Sequence, residues 1–192
     1  MNNTGRRGFL KWLSGLLAAS IAAIIGVPAV SFGISSLRRK ASPQGALRRV
    51  ARLGDLPQDR PVMIPIVGDL EDAWTVYPNE PIGRVWLARG TLDSADPTKT
   101  PLKVFSAVCP HLGCTVQMAG DGKEFICPCH NALFKLDGER VAEVAGGGRN
   151  PSPRGMDPLE FKIVQDVATK DWWVEVKYEQ FELGKPTSTL VA

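Results

Sequence analysis

Two short motifs in this sequence combine cysteine with histidine, residue types that bind zinc and iron in proteins. The first motif reads CPHLGC at residues 109–114, and the second reads CPCH at residues 127–130. They contain all four cysteines and both histidines of the 192-residue chain, and 15 residues (112–126) lie between the first histidine and the second motif. This clustering predicts one metal or cofactor site that is built from two loops.

Three kinds of chemistry suit these residue types. A structural zinc site usually takes closely spaced pairs of cysteines and of histidines, so one of each per loop matches it poorly and leaves two cysteines without a role. Two disulfides would leave both histidines without a role. The third possibility is an iron–sulfur cluster in which two cysteines hold one iron and two histidines hold the other.

The spacing C-x-H-x₁₅-C-x-x-H closely resembles that of the Rieske iron–sulfur proteins, and the resemblance covers essentially the whole chain. It implies one Rieske-type [2Fe–2S] cluster per chain, held by Cys109, His111, Cys127 and His130. It also implies that the remaining cysteines, Cys114 and Cys129, form a disulfide that clamps the two loops together.

The chain departs from the family at three positions after the second motif. High-potential members continue the loop as C-P-C-H-G-S-x-Y, and the resemblance implies that the Ser and Tyr hydroxyls hydrogen-bond cluster or cysteine sulfur. Here Ala132 and Phe134 stand at those positions, and Asn131 replaces the Gly. Because both hydroxyls are missing, we expect a lowered reduction potential and a low-potential quinol donor, menaquinol rather than ubiquinol.

Rieske proteins fall into several classes, and most of them fit this chain poorly. A ring-hydroxylating oxygenase needs histidines for a second iron site, and both histidines are already used. Rieske ferredoxins are soluble and lack the disulfide cysteines. Two classes remain: the Rieske subunit of a bacterial cytochrome bc complex, and the small subunit of a periplasmic arsenite oxidase. A membrane anchor followed by a linker favours the first.

In a cytochrome bc complex the resemblance implies that this chain is the electron-transfer subunit of a quinol–cytochrome c oxidoreductase, and is not catalytic alone. His130 would hydrogen-bond the quinol and accept its proton, with His111 as the second imidazole ligand. Leu112 matches a quinone-contacting Leu of the family. The implied partners are a cytochrome b subunit, a c-type cytochrome and quinol, within a dimeric complex.

The motifs must be positioned by short strands. Apolar or alternating runs recur between turn residues after residue 60, without ten residues of helical periodicity, and so predict an all-β domain of small antiparallel sheets. The predicted strands are Val62–Val67, Arg84–Ala88, Lys103–Val108, Thr115–Met118, Glu124–Ile126, Ala132–Leu136, Arg140–Val144, Leu159–Val167 and Trp172–Tyr178. We expect an all-β, Rieske-type domain at 61–192, with a cluster-binding subdomain at about 104–155.

Residues 38–60 are rich in Arg, Pro, Gly and Ala and predict a linker, with a hinge at 38–48 and Gly45 as its pivot. Leu47, Val50 and Leu53 could form one amphipathic helical turn whose arginines face lipid headgroups. A solvated basic linker explains the same residues equally well.

The N-terminus predicts export and membrane attachment. Residues 6–11 read RRGFLK, which resembles the twin-arginine export signal, within a cytoplasmic segment at 1–11. Residues 12–37 contain no charged side chain, and a helix of this length can cross a hydrocarbon core of about 30 Å. The expected topology is one uncleaved transmembrane helix in the bacterial inner membrane, with the N-terminus cytoplasmic and the Rieske domain on the periplasmic face.

The charge distribution separates this N-terminus from the remainder. Six basic and no acidic residues give residues 1–40 a charge of +6, whereas 17 Lys/Arg against 20 Asp/Glu give residues 41–192 a charge of −3. A nucleic-acid-binding domain presents a basic face. The mildly acidic main domain therefore argues against a nucleic-acid partner.

Overall fold

One N-terminal helix and eleven short strands form the regular structure of the described residues, which are 3–38, 45–71, 75–144 and 147–191 in this computed structural model. The helix, α1, covers Asn3–Arg38. The strands are β1 Leu47–Arg52, β2 Val62–Glu71, β3 Val76–Arg89, β4 Leu102–Ser106, β5 Gln117–Met118, β6 Glu124–Cys127, β7 Ala132–Lys135, β8 Glu143–Val144, β9 Gly148–Arg149, β10 Phe161–Gln165 and β11 Trp172–Lys177.

Helix α1 is long and apolar enough to cross a membrane. Its segment Gly5–Ile34 has a mean hydropathy of 2.1, and the side chains of its most apolar window are exposed within the chain. A helix satisfies its backbone hydrogen bonds internally, which is the requirement for a segment surrounded by lipid. The apolar N-terminal helix predicted from the sequence is confirmed, and the chain has the form of a single-pass membrane protein.

The strands form small antiparallel sheets, as the sequence predicts. Three sheets have three strands each, in the orders β1-β11-β10, β2-β3-β4 and β5-β6-β7, and β8 pairs with β9. Alternation along the strands explains the burial: Val174 and Val176 on β11 point into the core, while Glu175 between them is half-buried. The predicted all-β class is confirmed.

Two hydrophobic cores result from this arrangement. The larger core lies among the first two sheets and includes Ile66, Val85 and Val174. The smaller core lies against the β5-β6-β7 sheet and includes Phe125 and Phe134 together with Cys109 and Cys127, Trp86 and Met156. The candidate site residues are therefore built on a core of their own, which fixes the loops that carry them.

The amphipathic helical turn predicted around Leu47, Val50 and Leu53 is wrong. Residues Leu47–Arg52 form strand β1, which pairs antiparallel with β11, and Leu53 begins a short 3₁₀ turn and is buried. Val50 and Ala51 of β1 pack against the larger core, and two of its arginines, Arg49 and Arg52, lie over the Trp173 ring at 5.7 and 5.4 Å. The folded body thus includes residues that the sequence places in the linker, whereas the hinge residues 39–44 lie outside the described ranges.

Other strand boundaries also differ from the sequence predictions. β3 begins at Val76, well before the predicted Arg84, because it continues as one long hairpin with β2. The predicted strand at Thr115–Met118 is regular only at Gln117–Met118, and Arg140–Val144 only at Glu143–Val144. Short, irregular pairings of this kind follow from tertiary contacts that a local pattern does not contain.

Candidate iron–sulfur site

The first loop, residues 109–114, follows the end of β4 and is closed by its own backbone. The isolated bridge between Val108 and Thr115 brings its two ends together. Within the loop, the Cys109 N–H donates to the Cys114 carbonyl oxygen at 2.8 Å, and the Gly113 N–H donates to the Cys109 carbonyl oxygen at 3.0 Å. These bonds direct the side chain of Cys109 into the smaller core and leave His111 half-buried at the surface.

The second loop, residues 127–132, is the turn of the β6–β7 hairpin. Cys127 is the last residue of β6 and pairs directly with Ala132, the first residue of β7. Asn131 closes the turn with a φ of +58°, a left-handed conformation that asparagine tolerates better than most residues. The hairpin register buries Cys127 and leaves His130 exposed.

Cys109 and Cys127 are the two free cysteines, and both are buried. Their side chains are within hydrogen-bonding distance of each other. Burial raises the pKa of the Cys109 thiol to about 12, while hydrogen bonds from the backbone N–H groups of His111 and Leu112 act in the opposite direction. A buried thiol pair of this kind is a ready pair of ligands for a cation that displaces its protons. The two-disulfide interpretation of the motifs is wrong, because these cysteines are unpaired.

The two imidazoles face each other at the surface. The ring centroids of His111 and His130 lie 4.7 Å apart, and the ring planes are nearly perpendicular, at 83°. One histidine comes from each loop, as does each free cysteine. The structure therefore brings all four predicted ligands to one place, with the sulfurs in the core and the imidazoles outward.

A disulfide joins Cys114 to Cys129 and so ties the first loop to the second. It is the pair that the family resemblance implies. The Cys127 sulfur lies within 4.8 Å of both disulfide sulfurs. Because two of these three sulfurs are bonded to each other, the three cysteines do not form a thiolate metal site. Their proximity shows instead that the disulfide lies directly beside the candidate ligand Cys127.

These residues fit a cluster with mixed ligands. Two buried sulfurs suit an iron held inside the protein, and two imidazoles at the surface suit an iron close to solvent. Structural zinc sites usually take closely spaced pairs of cysteines and of histidines. Here each loop supplies one cysteine and one histidine to the candidate ligand set, which agrees poorly with that pattern.

Three other predicted residues surround the candidate ligands. Ala132 and Phe134 are fully buried, on the strand that leads away from the second loop. Leu112 lies at the tip of the first loop with 61% of its surface exposed, beside His111 in the chain. An exposed leucine next to an imidazole forms a small apolar contact surface, and Ala132 and Phe134 provide packing without hydroxyl donors.

Asn150, whose role no local sequence pattern indicates, anchors residues 148–153 over the β-hairpin. Its buried amide donates to the carbonyl oxygens of Leu133 and Val141 at 2.7 and 2.8 Å, and its side-chain oxygen accepts from the Ser152 N–H at 3.0 Å. The pair Asn150-Pro151 looks like an ordinary loop dipeptide in the sequence. Only the fold reveals that this side chain fixes residues 148–153 against β7.

Comparison with known proteins gives a consistent result. The model of the Rieske [2Fe-2S] domain family matches residues 49–146. The menaquinol:cytochrome c reductase iron-sulfur subunit of Bacillus subtilis is 27% identical over 143 residues, which cover 73% of this chain and 78% of the relative. The cytochrome b6-f complex iron-sulfur subunit of Gloeobacter violaceus is 31% identical over 78 residues, 41% of this chain and 38% of the relative.

Among solved structures, the plasma membrane Rieske protein PetC3 of Synechocystis is similar with a TM-score of 0.32 and 22% identity, over 52% of this chain and 83% of that one. The match to the Gloeobacter protein is partial, and this chain spans well under half of that relative's length.

Proposed function

Because this chain belongs to the Rieske [2Fe-2S] domain family and so carries a Rieske cluster, we propose that it is the electron-transfer subunit of a quinol:cytochrome c reductase. The site geometry supports this function through one observation above all: an exposed imidazole, His130, lies beside a disulfide-clamped pair of loops with buried cysteines. The name of the Bacillus subtilis relative agrees with it, as do the names of the cytochrome b6-f relatives.

The ligand assignment proposed here is Cys109 and Cys127 on one iron and His111 and His130 on the other. When bound, the cluster supplies a one-electron acceptor. The two thiolates lie in the apolar core, where water is excluded. The two imidazoles are neutral ligands, and in each ring the nitrogen that does not bind iron remains free to exchange a proton.

His130 then acts as the hydrogen-bond partner of the quinol. Its ring is exposed, so a quinol hydroxyl can approach its free nitrogen and pass its proton there. His111 is half-buried and provides the second imidazole at a ring distance of 4.7 Å. The exposed Leu112 contributes the apolar contact for the quinone ring. The electron leaves toward a c-type cytochrome.

Menaquinol is the quinol that these residues favour. Ala132 and Phe134 cannot donate a hydroxyl hydrogen bond to sulfur, so the reduced form of the site receives less stabilisation. A low-potential acceptor is matched to a low-potential donor. The relative from Bacillus subtilis is named for menaquinol as well.

The remaining assignments concern attachment. We propose that residues 1–11 form a cytoplasmic twin-arginine segment, that 12–37 are the anchor within α1, and that a linker follows. The Rieske domain then lies on the outer face of the cytoplasmic membrane, next to a cytochrome b subunit in a dimeric complex. An oxidising compartment agrees with the Cys114–Cys129 disulfide.

Purification from membranes tests the proposal. After high-salt washing, the full-length protein should remain in membranes, co-purify with a cytochrome b and contain two irons per chain. The reduced protein should give the rhombic, low-average-g resonance of Rieske centres. Stoichiometric zinc without iron would overturn the proposed site, and a soluble complex with a molybdenum subunit would support an arsenite oxidase instead.

A further inference from the structure

The C-terminal segment, residues 179–191, packs against the first loop. It lies beyond the residues that the family model matches, 49–146. It doubles back on itself through the bridge between Phe181 and Leu190, with the Glu182 N–H donating to the Thr189 carbonyl oxygen at 2.8 Å. Within this segment, Leu183 and Gly184 lie directly beside the first loop, residues 109–114.

The contact with the first loop is specific. The Gly184 N–H donates to the Pro110 carbonyl oxygen at 2.8 Å. A methyl group added to Gly113 would lie 3.0 Å from the Leu183 Cδ1 atom, so the leucine covers that glycine closely. The C-terminal segment thus holds the first loop in addition to the loop's own backbone bonds.

The Pro110 carbonyl and the His111 N–H are two ends of the same peptide group. The His111 N–H donates to the Cys109 sulfur, so a continuous chain runs from Gly184 through this peptide to a predicted iron ligand. Hydrogen bonds in series polarise one another, and a carbonyl that accepts a bond makes its own N–H a stronger donor. Donors to a ligand sulfur favour the reduced form of an iron–sulfur centre.

Arg154 fixes the C-terminal segment at this position. Its guanidinium makes a two-bonded ion pair with Asp157, both distances 2.8 Å, and the two side chains are only 8% and 4% exposed. The same guanidinium donates to the carbonyl oxygens of Glu182 and Lys185, at 2.9 and 2.6 Å. Asp157 also accepts from the Ser188 hydroxyl at 2.5 Å. The residues on both sides of Gly184 are therefore held by one buried cation.

We propose that residues 179–191, held by Arg154, orient the Pro110–His111 peptide and thereby raise the reduction potential of the site. This inference rests on the proposed ligand set. Leu183, Gly184 and Arg154 are positioning residues, because each acts through the first loop and none is a proposed ligand.

Redox titration of three variants that all keep the N-terminal helix, one shortened and two with single substitutions, tests the proposal, with the cluster signal as the spectroscopic monitor. A chain that ends at Glu182 lacks the Gly184 N–H that donates to the Pro110 carbonyl oxygen. Leu183→Ala keeps this donor but removes the side chain that packs against Gly113 of the first loop. Leu190→Ala is the matched control, because this leucine lies in the same segment, is similarly exposed (50% against 43% for Leu183) and pairs in its backbone bridge with Phe181 rather than with a residue of the first loop. We expect the midpoint potential to fall in the shortened chain, to fall less in Leu183→Ala and to be unchanged in Leu190→Ala, with two irons per chain throughout.

The outcomes separate this inference from the proposed function. Absence of the two-iron signal in the unaltered protein overturns the proposed ligand set. A loaded cluster whose potential is the same in the shortened chain as in the unaltered protein overturns the role of the C-terminal segment alone. Should the shortened chain fail to fold, Leu183→Ala decides: a lowered potential supports the role, and an unchanged potential overturns it.

Discussion

The two loops of the site carry the same ligand types but are supported in different ways. The second loop is the turn of a hairpin, so its support comes from β6 and β7, the strands on either side of it in the chain. The first loop lies at the end of β4, and besides its own backbone bonds it is held by Gly184, more than 70 positions away. The disulfide joins the two loops and so supports both. The first loop therefore depends on distant parts of the domain more than the second does.

This difference has a consequence for function. A short hairpin holds Cys127 and His130 in a fixed relation, since a change in register would move every side chain to the other face. The first loop can respond to distant changes, because its supports belong to other parts of the fold. Substitutions outside the site should therefore affect the first loop more than the second.

Removal of either imidazole ligand, one at a time, should have the largest effect on the cluster signal. His111→Ala and His130→Ala each remove a proposed iron ligand, so we expect both variants to lose the rhombic resonance completely. Iron analysis and electron paramagnetic resonance of the purified protein provide the measurement. A variant that retains the full signal would show that the proposed ligand set is wrong.

Removal of the cross-link should have the next largest effect. The disulfide closes a segment with a sequence separation of 15, and a loop of that length corresponds to about 3 kcal/mol of stabilisation. We expect Cys114→Ala with Cys129→Ala to lower the free energy of unfolding by about that amount. Denaturant titration measures it, and a thiol reductant should destabilise the unaltered protein but not the double variant.

The same double variant sharpens the comparison between the loops. Without the disulfide, the first loop keeps only its backbone bonds and the C-terminal segment, whereas the hairpin is intact. Leu183→Ala should therefore destabilise the double variant more than it destabilises the unaltered protein. Equal effects in both backgrounds would mean that the two supports act independently.

The sequence predicts the second loop better than the first for the same physical reason. The hairpin is visible in the sequence as two short runs, Glu124–Ile126 and Ala132–Leu136, and these match β6 and β7 to within one residue at each end. The spacing of cysteines and histidines identifies the family without any knowledge of the fold. The strand signal lies within a few neighbouring residues, and the family signal consists of residue types that bind metals.

The supports of the first loop leave no such signal. Arg154 and Asp157 resemble any surface pair in the sequence, yet both are buried and hold residues 182–188 in place. Strand β1 was expected to be linker or helical turn, because its arginines dominate its composition. Its pairing with β11 and the stacking of those arginines on Trp173 are contacts between residues more than 120 positions apart.

The next prediction concerns the reduction potential at the base of the second loop. Ala132→Ser and Phe134→Tyr each add a hydroxyl at a buried position of β7. A hydrogen bond to a charged group contributes roughly 1.5–3 kcal/mol, which for a one-electron couple corresponds to about 60–130 mV. We expect the midpoint potential of each variant to rise by about that amount, as measured by redox titration.

Phe125→Tyr is the control for this prediction. Phe125 is a fully buried ring that pairs with Phe134 across the hairpin, but family resemblance connects it with no cluster contact. The potential of this variant should stay close to that of the unaltered protein. A rise in Phe125→Tyr equal to that in Phe134→Tyr would show that core polarity, rather than a specific hydrogen bond, sets the potential, and the preference for menaquinol would lose its support.

The smallest predicted effects are changes in the free energy of unfolding at two residues with a left-handed backbone, one in each loop. Asn131 has a φ of +58° and Gly113 a φ of +83°. An ordinary L-residue in this region costs roughly 1–2 kcal/mol, and asparagine less. Asn131→Ala should therefore lower stability by about 1 kcal/mol, whereas Asn131→Gly should change it by no more than a few tenths.

Gly113→Ala should cost more than Asn131→Ala, because the new methyl group meets both backbone strain and a neighbour. Its Cβ would lie 3.0 Å from the Leu183 Cδ1 atom, close enough that the leucine must move. Leu183→Ala in the same chain removes that contact but not the strain, so the pair should recover part of the loss. Thermal unfolding of the two single variants and the double variant measures this coupling. If the double variant is no more stable than Gly113→Ala, the Leu183 side chain does not press on the first loop, and the C-terminal segment acts on this loop through the Gly184 hydrogen bond instead.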